Sequence, residues 1–306
     1  MINQYKLVTI DFGNDNHIIV DSPTLETVCW MIEEYYSGCH TVFSPFLPVD
    51  HPCDIGELRI RYPLCKIIYY NLEHRCFVKD NGRAEDPMDF IAGCDELWDF
   101  NIEDYFYFQS YGLGDKFRFM PLRYMSRVAE YQRESVPRYD IQFEGTFDTK
   151  IRYNFIHCLS NIWYEGDNWF RLNLKITNTS DINTRFEEKQ DAICCMDCPH
   201  WDVPQTINIV RIFECLSLNR PVIVYDPYKI GSYKYVNDMV VFRDDLNVLG
   251  IYKTIHDSGL IENPAQILKE KTFSNKEYER YRMGIFNDFN KIVGNSIPMS
   301  VLNAHF

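Results

Sequence analysis

The stretch QDAICCMDCPHWDVPQTINIVRIFECLSLNRPVIVYDP, Gln190 to Pro227, decides the fold of this chain. It opens on Ala192 to Cys195, an apolar run of strand length. Pro204 to Leu218 then reads as a helix. Pro204 suits its first turn, where a missing N–H costs nothing. Ile207, Ile209, Val210, Ile212, Phe213 and Leu216 make it apolar nearly all round, which predicts burial. Asn219 follows the last apolar turn and is one of the few non-glycine residues suited to a left-handed C-cap. Val222 to Tyr225 reads as a buried strand, closed by Asp226 and Pro227. Strand, helix, tight turn and strand make one βαβ unit of a parallel sheet. Inside the helix, Gln205, Asn208, Arg211 and Glu214 recur every third position, and neighbours share a face. Arg and Glu are rarely fully buried unless paired. Two arrangements satisfy that rule: an intrahelical Arg211–Glu214 pair on a solvated edge, or a polar row bordering a ligand cleft.

Outward from this unit, the same alternation continues. Tyr139 to Phe147 reads as a strand, Thr149 to Asn161 as a helix and Asn168 to Ile176 as a strand, with residues 177–185 a polar loop. Val236 to Phe242 is a further strand, and Asp245 to Ser258, Asn263 to Lys271 and Asn275 to Val293 are helices. Upstream, strands are expected over Lys6 to Asp11, Thr41 to Leu47, Cys65 to Tyr70, Glu96 to Phe100 and Lys116 to Pro121. Helices are expected from Ser22, the N-cap ahead of Pro23, to Tyr36, over Pro87 to Gly93, and from Asn101 to Tyr111. Residues 48–64, rich in Pro, Asp and Cys, read as a long loop. The charged stretch Arg127 to Arg138 separates the two halves. Alternating β and α elements predict doubly wound parallel sheets.

Composition narrows the function classes. At 46% apolar content, 306 residues can bury a sizeable core. No run of 18 apolar residues is present, so no transmembrane helix is expected. The N-terminal MINQYKLVTIDFGND lacks the basic region and apolar core of a signal peptide, which predicts a cytoplasmic protein. A net charge of −13 opposes a broad nucleic-acid surface, which works through Lys and Arg. Eleven scattered Cys read as reduced thiols. Cys194, Cys195, Cys198 and His200 cluster, but zinc needs four well-placed ligands, and neighbours on a strand point to opposite sides. No metal site is expected.

The segment Glu214-Cys-Leu-Ser-Leu-Asn219-Arg-Pro221-Val222 resembles the second half of the E-x7-E motif of GT-B glycosyltransferases. Asn219 stands where that family usually has Gly, and Thr206 and Ile207 stand at the positions of the motif's first Glu. Tyr139-Asp-Ile-Gln-Phe-Glu-Gly145-Thr146, with Lys150 and Arg152 downstream, is similar to the strand and basic turn that begin the family's C-terminal domain. The resemblance implies an α/β, GT-B-like fold of two Rossmann-like domains facing each other across a cleft. Residues 1–128 would form the acceptor side and 129–275 the nucleotide-sugar side. Residues 276–306 would be a C-terminal helix packing back toward the first domain. It implies transfer of a sugar from a nucleotide-sugar co-substrate to a hydroxyl acceptor, with no further cofactor and without a divalent ion.

The same resemblance implies the site. Glu214 would hold the ribose hydroxyls, with Asn208 and His200 on the donor side. Gly145, Thr146, Lys150, Arg152 and Arg211 would meet the diphosphate, aided by a helix N-terminus near Thr149. The acceptor must lose a proton, so the first half should supply a base: His17 and His74 lead, with Asp15 and Glu73 behind them. A saccharide is the expected acceptor. Alternatives are a hydroxylated base in phage DNA, which a basic stripe over Arg59, Arg61, Lys79, Arg83, Lys116, Arg118 and Arg123 would favour. An epimerase of nucleotide sugars, and a nucleotide-binding module without turnover, also remain open.

Overall fold

A computed structural model describes residues 8–10, 23–36, 41–44, 55–61, 63, 66–71, 87–146, 149–179, 181–199, 209–227, 236 and 238–303. By internal contacts the chain divides into two compact units. The first is Met1–Leu122 with Tyr278–Phe306, the second Arg123–Glu277.

The first unit carries β1 (Val8–Ile10), α1 (Pro23–Tyr36), β2 (Thr41–Ser44), α2 (Ile55–Arg61), β3 (Lys66–Asn71), α3 (Pro87–Gly93), β4 (Glu96–Asp99), α4 (Asp104–Ser110) and β5 (Phe117–Phe119). Its sheet runs β1-β2-β3-β4-β5, parallel except for the antiparallel β1–β2 pair. Alternate strand residues Ile67, Tyr69, Leu97, Phe117 and Phe119 enter one core with Ile91, Phe108, Phe286 and Val301. On the opposite face Trp98 stands edge-on to Tyr70 and Tyr36. The strand order is sequential. A doubly wound sheet reverses its order at a switch point, and the described strands of this unit show no reversal, contrary to the doubly wound expectation. Residues 48–64 are not all loop, because α2 lies within them. Arg59 there binds both oxygens of Asp95 at 2.8 Å and the Gly93 carbonyl at 3.0 Å. Tertiary contacts therefore support a short helix that local composition hides.

The second unit carries α5 (Ser126–Ala129), β6 (Tyr139–Glu144), α6 (Lys150–Ser160), β7 (Trp163–Glu165), β8 (Asn168–Phe170), β9 (Leu174–Thr177), α7 (Ile182–Gln190), β10 (Ala192–Asp197), α8 (Ile209–Ser217), β11 (Val222–Tyr225), β12 (Val241–Arg243), α9 (Val248–His256) and α10 (Pro264–Thr272). The final helix, α11 (Asn275–Ile292), contributes its first residues here and the rest to the first unit. The main sheet is ordered β12-β11-β10-β6-β9 and is parallel throughout. Counted from β6, that is the doubly wound order 2-1-3-4-5, whose switch point lies between its first and third strands, β6 and β10.

The two faces of this sheet differ in chemistry. Ile141, Phe143, Cys194, Met196 and Ile223 pack with Ile151, Phe155 and Leu159 of α6 and Val248, Ile251 and Ile255 of α9. The alternate positions Gln142, Glu144, Cys195 and Asp197 face α7 and α8 and are buried despite their polarity. The expected 168–176 strand is divided. Asn168–Phe170 pairs with Trp163–Glu165 in a separate hairpin, and Phe170 packs edge-on to Tyr252 at 5.0 Å. The polar 177–185 segment contains the start of α7, capped by Asp181, whose carboxylate accepts from the Thr184 N–H at 2.7 Å.

Helix α8 ends as its sequence requires. Asn219 takes φ 55°, with Asn219 N–H donating to the Leu216 carbonyl and Arg220 N–H to the Cys215 carbonyl. Those two bonds define a Schellman cap. The Asn219 side chain also accepts from the Ala265 N–H, which ties the cap to α10. The part of the expected helix before Ile209 lies outside the described residues.

Candidate functional site

Open α/β sheets bind ligands beyond the carboxyl ends of their strands at a switch point. Here that place lies past Glu144 of β6 and Asp197 of β10. Two guanidinium groups converge on it. Arg152, in the first turn of α6 and 5% exposed, donates to the carbonyls of Thr146 and Cys198, each at 3.3 Å. It thereby links the loop after β6 to the loop after β10. Arg211, in the first turn of the described part of α8, donates to the Glu144 carbonyl at 3.0 Å. Its side chain keeps 22% exposure.

Gly145 lies between these arginines. Its φ of +141° is one that side-chain-bearing residues rarely adopt. A Cβ there would stand 2.9 Å from Arg152 and 3.3 Å from Arg211. Glycine thus admits both charges. Its own N–H, expected to meet a phosphate, donates instead to the Thr177 carbonyl at 3.0 Å. Lys150 is exposed at the start of α6, and Thr146 is half-buried with its carbonyl on Arg152.

Glu214 is placed differently from either arrangement its sequence offered. It has 0% exposure and does not pair with Arg211. Arg185 donates to one of its oxygens at 2.6 Å and Lys189 to the other at 2.8 Å. Both oxygens are thus gripped from the core and sealed from solvent, so in this structure Glu214 presents none to a ribose diol. Arg185 and Lys189 sit one turn apart on α7 and are each 1% exposed. Both also approach Glu144, whose carboxylate lies 2.7 Å from Lys189, 3.1 Å from Arg211 Nε and 3.5 Å from Arg185. Three cations thus share two carboxylates. Burial alone would raise the Glu144 pKa, but Lys189, Arg211 and Arg185 overcome it and hold the carboxyl down at about 2. The same two carboxylates raise Lys189 above the ordinary lysine value against the opposing effect of burial. A small cavity of about 10 Å³ borders Glu144, Lys189, Asp197 and Arg211, room for about one water. A wider surface depression, bordered by Asn219, Pro221, Glu262 and Asn263, lies at the opposite end of the strands, before β11, and holds no comparable charge cluster.

The chain matches no protein-family model and no curated protein. The site therefore rests on its own geometry.

His17, His74, Asp15, Glu73, Asn208 and His200 lie outside the described residues. Among the described residues the structure brings Gly145, Thr146, Arg152 and Arg211 together and withdraws Glu214 into the core. Sequence reading missed Glu144, Arg185 and Lys189. The available signal was a Glu on a mostly apolar helix, whose burial requires a paired cation, and a four-residue Arg–Lys spacing around Phe186.

Cys194 and Cys195 do take opposite faces of the sheet. Burial raises the Cys194 and Cys198 thiols above their ordinary range. Of the described members of the basic stripe considered for DNA, Arg123 is withdrawn from the surface. It is 1% exposed and donates to the Thr272 and Phe273 carbonyls. Lys116 and Arg118 donate to nearby carbonyls, and Arg59 is paired with Asp95. Among the described residues no helix is long and apolar enough to cross a membrane.

Proposed function

We propose that the protein binds the diphosphate of a nucleotide sugar beside Gly145, at the carboxyl ends of β6 and β10, and transfers the sugar to a hydroxyl acceptor, a saccharide being the expected class. The observation that carries the proposal is the convergence of Arg152 and Arg211 on Gly145 at the switch point of the second sheet. A diphosphate leaving group gains negative charge as the glycosidic bond breaks. Fixed guanidinium groups at that point stabilise the developing charge without reorganising. The first turn of α6 adds the positive end of an 11-residue helix. Phosphate charge is met here by protein cations, so the proposed chemistry belongs to the metal-independent, GT-B type. Arg211 would be the catalytic cation that meets the charge developing on the leaving diphosphate.

The burial of Glu214 favours a second reading, a nucleotide-binding module without turnover, since the ribose contact of the motif is taken by Arg185 and Lys189. A thermal-shift panel of nucleoside diphosphates and nucleotide sugars tests the shared core of both, because a ligand that binds the native state raises the melting temperature. A selective rise with one nucleoside diphosphate supports the site, and a flat panel refutes it. Sugar release or transfer from the donor so identified then separates enzyme from module.

A further inference from the structure

We propose that Glu144 is a positioning residue for Arg211, held in place from the core by Lys189 and Arg185. This rests on the reading that a phosphate group binds at Arg211.

The sequence places Glu144 last in β6, on the face turned toward α7 and α8. Both its main chain and its side chain engage one guanidinium: its carbonyl accepts from Arg211 Nη1 at 3.0 Å, and its carboxylate lies 3.1 Å from Arg211 Nε. One directed hydrogen bond to the main chain and one ion-pair contact to the side chain of the same residue restrict where that guanidinium can stand. The Glu144 carboxylate is itself restrained. Lys189 stands 2.7 Å away in an ion pair and is anchored by its hydrogen bond to Glu214. Arg185 touches both carboxylates, and its firmer bond is the 2.6 Å one to Glu214. The chain of charges runs from the sealed Glu214, through Lys189 and Arg185, to Glu144, and ends on the part-exposed Arg211. Such a chain leaves Arg211 one orientation before any ligand arrives. An arginine fixed in advance loses less freedom on meeting an anion than a mobile one does. This also explains why the sequence spends buried charge on α7: the charges support the site, and Glu214 supports it from the core without touching ligand.

The test uses the full-length protein and inorganic pyrophosphate, with binding measured by calorimetry. Arg211→Ala should weaken binding about tenfold or more, the loss expected for a charged hydrogen-bond partner. Glu144→Gln should weaken it by a comparable factor, and the double variant should bind no worse than Arg211→Ala alone, because residues acting as one unit are not additive. A residue that supports only the fold would give additive losses. If Arg211→Ala binds as the wild type does, the phosphate site itself is wrong. If Arg211→Ala is weakened while Glu144→Gln is not, or if the losses add, the site stands and the positioning role is overturned. Should Glu144→Gln fail to fold, the wild-type protein decides. Its Arg211 guanidinium should show slow rotation in nitrogen-15 spectra before pyrophosphate is added, and free rotation would overturn the proposal.

Discussion

Glu214 shows how a residue can be correctly singled out and still carry a different role. Its place on an apolar helix made it conspicuous, and pairing was the condition for its burial. The pairing partners, Arg185 and Lys189, come from a helix 25 to 29 residues earlier. No local spacing links them to Glu214, so the sequence marked the anomaly without resolving it. Removing one member of a buried ion group leaves the others charged and unmet. Glu214→Ala should therefore destabilise the second unit by about 3–5 kcal/mol, read from denaturant midpoints. A loss below about 1 kcal/mol would show that Arg185 and Lys189 find other partners, and would reopen a ligand role for Glu214. Glu144 adds a pH dependence. Its folded pKa, about 2, lies below the ordinary 4.5. The stability it contributes is complete above the ordinary value and is lost as pH falls through the folded one. Unfolding midpoints should fall between pH 4.5 and pH 2, and Glu144→Gln should flatten that acid limb. An equally steep limb in the variant would assign acid sensitivity to other carboxylates.

At the scale of elements, legibility followed the chemistry of the buried face. β10, α8 and β11 bury apolar residues, and their period and turn residues were readable, down to the left-handed Asn219 at the cap. Helix α7 was not readable. Its buried residues are Arg185, Phe186, Lys189 and Gln190, so a pattern search for an apolar stripe finds a polar segment. The same substitution of charge for oil hid the polar face of the sheet. The β7–β8 hairpin was missed for another reason: only residues 171–173 separate β8 from β9, so 168–176 reads as one strand. Because α7 has so little apolar burial, its cap should matter. Asp181→Ala removes the bond to the Thr184 N–H and should cost about 1 kcal/mol. It should also loosen Lys189 and Arg185, so hydrogen exchange along α7 should accelerate more than along α8. Equal acceleration of both would mean that α7 is held by its ion pairs alone.

For the whole molecule, the two sheets differ in strand order, and that order bears directly on where a ligand binds. The described strands of the first unit run in sequence, while those of the second reverse between β6 and β10. A reversal sends neighbouring crossovers to opposite faces and leaves a crevice at the carboxyl ends of the strands between them. Alternation of β and α elements was legible in both halves, but strand order was not, because it is set by which edge each crossover returns to. The two orders make unequal predictions. A nucleoside diphosphate should slow hydrogen exchange in peptides covering the end of β6, the first turn of α6 and the end of β10, where Gly145, Arg152 and Arg211 meet. Peptides over the carboxyl ends of β3 and β4 should change less, since both oxygens of Asp99 there are already engaged, by the Asn71 amide at 2.7 Å and the Asn101 N–H at 2.7 Å. Protection should persist in EDTA, because the charges proposed to meet the phosphates are guanidinium groups. Protection confined to the first unit would refute the switch-point site. Protection that vanishes in EDTA and returns with Mg²⁺ or Mn²⁺ would keep the site but replace its electrostatics, with a bound cation doing what Arg152 and Arg211 are proposed to do.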